Sequence, residues 1–135
     1  MKRIFGIIIL LVAFVTTYGQ NVEEGPGPRV VFLEDSFDFG DIQQGDKVEH
    51  TFEFENAGDE ALILSNVMTT CGCTASDWPR EPIAPGEMAS LKVTFNSAGK
   101  MGMQNKIITI VSNAINGRER IRITTNVLPK TDQEG

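Results

Sequence analysis

Residues Val48 to Glu55 read VEHTFEFE, and the period of the stretch is two. Val48, His50, Phe52 and Phe54 fall on one side, and Glu49, Thr51, Glu53 and Glu55 on the other. Successive side chains of an extended strand point to opposite faces, so this alternation marks a strand with one buried and one wetted face. A helix would need apolar residues three and four apart. No segment from Val30 onward carries such a stripe at useful length.

The same period extends outward. NAGDEA follows, with Asn56, Gly58 and Asp59 as turn formers, and LILSNVM (Leu62 to Met68) then reads as the partner strand of a hairpin. ASLKVTF puts Ala89, Leu91, Val93 and Phe95 on one face, and NKIITIVSN is the more continuous apolar run of a central strand. Asn116-Gly117 is a strong hairpin signal. Beyond it, RIRITTNV turns Ile121, Ile123, Thr125 and Val127 inward. Upstream, VVFL and FDFGDI give one or two short strands. About seven short strands spaced by roughly 8–12 residues predict an all-β, immunoglobulin-like antiparallel β-sandwich.

The flanks divide the chain further. MKRIFGIIILLVAFVTTYGQ opens on Lys2 and Arg3, runs apolar from Ile4 to Val15 and ends in small and polar residues. That is the layout of a secretory signal peptide, and the run is shorter than the about 20 residues a membrane span takes. The expected boundaries are a signal peptide at 1–19, a Gly/Pro linker at 20–29, the sandwich at 30–128 and a polar tail at 129–135. A product periplasmic or secreted, with no membrane span after cleavage, is the expectation, in a compartment that permits disulfides. The formal net charge of -6 becomes -8 once Lys2 and Arg3 are removed. That charge suits neither nucleic acid nor an anionic lipid surface. Arg118, Arg120 and Arg122 alternate with other residues and read as one solvated strand face.

Several pieces then combine: Phe37-x-Phe39-Gly40, His50-x-Phe52-x-Phe54-x-Asn56, Cys71-Gly72-Cys73-Thr74, Pro82-Ile83-x-Pro85-Gly86 and Gly99-x-x-Gly102. Over about Phe37 to Asn126 the chain resembles the bacterial family called domain of unknown function 1573. The resemblance implies an immunoglobulin-like sandwich similar to Hydin-like and major-sperm-protein-like modules, with export and a place beside the cell envelope. It implies no activity.

Cys71 and Cys73 are the chain's only cysteines. Three states are open to them. As a buried pair they would pack like small hydrophobes at the end of a strand. As a disulfide they would close a three-residue loop, for which the chain-entropy relation gives only ~1.6 kcal/mol. Extended geometry would place their Cα atoms roughly 6.6 Å apart, near the upper limit for a bridge, with Gly72 free to relax it. As thiolates they would suit copper as Cu(I), together with the thioethers Met101 and Met103 and the sole histidine, His50, with Met68 just upstream. In immunoglobulin strand order these residues all lie toward one pole. The bland alternative keeps His50 as a near-core histidine and the methionines as gap-fillers. Trp78 reads as packing over the core edge.

No nucleophile motif or phosphate cradle is present, and Glu53 and Glu55 lie on the wetted face. The first functional expectation is a non-enzymatic module that binds or scaffolds envelope proteins, through sheet edges open to a partner strand. The second is a thiol-dependent metal or redox protein centred on Cys71 and Cys73.

Overall fold

A computed structural model describes residues 25–131; residues 1–24 and 132–135 lie outside it, and with them the predicted signal peptide, the first half of the linker and the end of the tail. Eight strands follow in order: β1 (Val30–Phe32), β2 (Ser36–Gln43), β3 (Lys47–Asn56), β4 (Leu64–Thr69), β5 (Thr74–Asp77), β6 (Met88–Asn96), β7 (Gly102–Ser112) and β8 (Glu119–Leu128). They form two four-stranded sheets, β1-β3-β6-β5 and β2-β8-β7-β4. Between the sheets, Phe52, Phe54, Leu91, Val93, Phe95, Ile108 and Ile110 are fully shielded from solvent. Each such side chain contributes roughly 1.5–3 kcal/mol of burial. VEHTFEFE thus forms as read, with its aromatic side inward.

Three details differ from the sequence expectation. The two upstream stretches are separate strands, one in each sheet, and with β5 the strands number eight. β1 pairs with β3, then the chain crosses at Glu34 and Asp35, and β2 pairs with β8 in the other sheet. That second pairing is parallel, the exception in an otherwise antiparallel sandwich. LILSNVM is not the hairpin partner of β3. β3 lies between β1 and β6, whereas β4 pairs with β7. The turn after β3 carries the chain to the opposite sheet, through an antiparallel bridge between Leu62 and Ile83. Finally, β5 is a strand the period did not reveal. Thr74–Asp77 is four residues long, and its extended form comes from pairing with β6. The Asn116-Gly117 signal holds in a longer loop between β7 and β8, with Gly117 at φ 77°.

Asn56 holds the pole where these crossings meet. Its side chain is fully buried. Oδ1 accepts from the amides of Arg29 (3.2 Å) and Gly58 (3.0 Å), and Nδ2 donates to the carbonyls of Glu60 (2.7 Å) and Ile83 (2.9 Å). Both lone pairs and both hydrogens of the amide are used. Gly58 is needed there for space, since a Cβ would sit 2.1 Å from the Gly27 carbonyl oxygen. Removing the Asn56 side chain orphans four backbone groups, at about 1–3 kcal/mol for each that stays dry. Asn56→Ala is expected to cost about 3 kcal/mol or more in urea unfolding, with Asn105→Ala at an exposed position staying within about 0.5 kcal/mol.

Candidate functional site

At the opposite pole, β4 leaves its sheet and the chain crosses to become β5. The crossing is fixed at both ends by backbone bonds. The Thr70 amide donates to the Ile107 carbonyl (3.2 Å) and the Asn96 amide to the Cys73 carbonyl (2.9 Å). Between them Cys71 to Thr74 form a tight turn, in which the Thr74 amide donates to the Cys71 carbonyl (3.3 Å). The Thr69 hydroxyl donates to the same carbonyl at 2.9 Å.

Within this turn Cys71 and Cys73 are joined in a disulfide, with Cα atoms 5.3 Å apart. The separation is shorter than in an extended strand because the backbone turns. Gly72 does not have a positive φ, and a Cβ there would meet nothing within 4 Å. Cys73 packs against the hydrophobic core, and both cysteines are half-buried. Thr74 is buried, at 6% exposure. Its hydroxyl oxygen lies 3.8 Å from the Cys71 sulfur and 4.0 Å from the Cys73 sulfur.

His50 is at the other margin of the sandwich, where β1 crosses to β2. Its ring stacks on Phe37 (3.6 Å between centroids, planes 8° apart) and meets Phe52 edge-on, and Nε2 bonds the Glu34 carboxylate. In its sheet, β6 separates the histidine's strand from β5. Met103 and Met101 are 74% and 52% exposed, and Met68 is exposed as well. Met103 projects from the outer face of its sheet, opposite to the inward Ile108 and Ile110. The structure therefore brings the two sulfurs together and adds Thr74, and it does not bring His50 to them. Among the described residues no three His, Cys, Asp or Glu side chains are grouped to hold a metal. Trp78 packs against the core, with the Arg80 guanidinium 3.7 Å over its ring.

The crossing of β4 has a second consequence. Ile107 directs its amide and carbonyl toward β4, where both bond to Thr70. Alternate residues of an antiparallel strand present these groups to the same side. Met103 and Asn105 therefore direct theirs away from β8, to the side that β4 has left, and no described residue bonds to them there. β3 has an open stretch too, past the end of β1, but Lys47 and Glu49 border it, and charges discourage strand pairing. Sequence periodicity locates a strand but does not say where its neighbour stops, so the open edge was not legible beforehand. Thr74 is legible in the sequence as the last residue of the Cys71-Gly72-Cys73-Thr74 motif, without its contact to the sulfurs.

Two four-stranded sheets, with the chain passing from one to the other between β1 and β2, define an immunoglobulin-like sandwich. The chain belongs to the family described as protein of unknown function (DUF1573), whose model matches residues 30–127. Solved structures agree on the fold. The PapD-like domain 7 of human CEP192 aligns with a TM-score of 0.71 at 11% identity, over 87% of this chain and 97% of that one. A protein of unknown function from Porphyromonas gingivalis W83 aligns at 0.66 and 19% identity, over 78% of this chain and 51% of its own. The secreted serine protease VesC from Vibrio cholerae aligns at 0.59 and 16% identity, over 78% of this chain. The chain spans about a quarter of that protease, 24%, and about half of the Porphyromonas protein. No curated protein matches the chain.

A three-residue loop limits what the disulfide adds to stability. The double variant Cys71→Ser, Cys73→Ser is expected to stay folded and to lose no more than ~1.6 kcal/mol, measured by urea unfolding against the oxidised protein.

Proposed function

We propose that this protein is an exported module that binds an extended segment of an envelope protein along the open edge of β7. The supporting observation is the pair of residues Met103 and Asn105, whose backbone amides and carbonyls face outward without a partner among the described residues. An incoming strand that meets those four groups extends the sheet by hydrogen bonds alone, and side chains that alternate along it supply selectivity. The edge is lined by Gly102, Met103, Gln104 and Asn105, with no charge until Lys106. The exposed Met103 thioether gives such a strand a soft apolar contact. The apolar leader with Lys2 and Arg3 supports export.

The test places a photo-crosslinking amino acid at Met103 in exporting cells, with the same group at Lys92 on the other sheet as control. One adduct specific to Met103 is expected. Asn105→Pro removes an outward amide without touching a bond to β8, so the adduct should then fall at least tenfold while the protein stays folded. Equal labelling from both positions, or an adduct indifferent to the proline, would exclude edge pairing.

A further inference from the structure

The buried Thr74 hydroxyl is unusual in its company. Among the described residues its polar neighbours are the two sulfurs of Cys71 and Cys73, at 3.8 and 4.0 Å. Disulfide sulfur accepts hydrogen bonds weakly, so a buried hydroxyl aimed at it is poorly satisfied. A thiolate at the same place is a strong, charged acceptor, and a bond to it is about twice as strong as one between neutral groups. The hydroxyl is thus better matched to the reduced state than to the oxidised one.

The surrounding backbone permits that change. The bonds from Thr70 to Ile107, from Asn96 to Cys73 and from Thr74 to Cys71 involve main-chain atoms, so none of them runs through the sulfurs. The loop closed by the disulfide is short, so opening it frees little chain entropy. Both cysteines are half-exposed, and Cys73 is the one packed on the core.

We propose that Cys71-Gly72-Cys73-Thr74 is a thiol–disulfide exchange site whose substrate class is a protein dithiol, with Thr74 as the positioning residue that favours the reduced form. This goes beyond strand binding and does not depend on it. A partner thiolate attacks the Cys71 sulfur, the Cys71–Cys73 bond breaks, and Cys73 leaves as a thiolate that accepts the Thr74 hydroxyl hydrogen. The partner's second thiolate then attacks its own sulfur in the mixed disulfide and releases Cys71 as a thiolate. The partner gains a disulfide, and Cys71 and Cys73 gain two electrons and take up protons from solvent. The reverse sequence oxidises this protein and reduces the partner.

The test equilibrates the purified protein with reduced and oxidised glutathione at set ratios, traps the thiols by alkylation and reads the products by mass, with the near-ultraviolet signal of Trp78 reporting the fold. The wild type is expected to exchange while folded. Thr74→Val, which keeps the shape and removes the hydroxyl, should shift the equilibrium about tenfold toward the disulfide, equivalent to about 30 mV, and slow reduction. Thr74→Ser keeps the hydroxyl and should remain within about twofold of wild type. The proposal is overturned if the bond opens only as the Trp78 signal is lost, a result the wild type gives without any variant. It is equally overturned if folded Thr74→Val matches wild type, or if Thr74→Ser behaves like Thr74→Val.

Discussion

The constraint on which the sandwich rests is the buried amide of Asn56. A β-sandwich must pass its chain from one sheet to the other, and each passage strips backbone groups of their ladder partners. Asn56 collects four such groups at one pole: from the approach to β1 at Arg29, from the turn after β3 at Gly58 and Glu60, and from the run into β6 at Ile83. Its own amide and carbonyl bond to Glu87 and Gly86 in the same place. With that pole tied, the Phe52 and Phe54 rings are held in register against β6 and the core closes behind them.

At the far pole the same problem is solved differently. Ser97, fully buried, reaches the carbonyls of Gln43 and Asp46 with its hydroxyl. The β4 to β5 crossing is held by bonds to Ile107 and Asn96 on the two sheets. No single residue there serves as many groups as Asn56 does. The result is a pole with an unpaired strand edge at Met103 and Asn105 and a sulfur pair in the adjoining turn. The sulfur pair and the unfilled hydrogen-bonding capacity both lie where the chain changes sheets.

The two proposals use neighbouring features but different physics. Strand addition draws on backbone groups and is insensitive to the oxidation state of sulfur. Exchange draws on the nucleophilicity of a thiolate and on one buried hydroxyl. The acidic outer face of the β1-β3-β6-β5 sheet, with Glu49, Glu53 and Asp77, serves neither. Its Glu49–Lys92 contact at 3.7 Å is an exposed pair of the kind that adds little to stability.

The sequence determined the fold class and most strand positions, because alternation reports directly which side chains face a core, and the Phe52–Phe54 pair could face nothing else. It also carried the family motifs, since these are local. What it could not determine was which strand lies beside which. Asn56 read as an ordinary turn residue, and so β4 read as a hairpin partner, because four hydrogen bonds to groups as far away as Arg29 and Ile83 leave no trace in the neighbouring letters. β5 was illegible for a related reason: a four-residue strand is extended because β6 pairs with it, not by its own preference. The Cys71–Cys73 spacing by itself implies only extended geometry, whereas the backbone turns there and brings a third group, Thr74, against the sulfurs. Tertiary structure alone decided these points, because pairing, sheet crossing and the company a side chain keeps are set by contacts between residues distant in the chain.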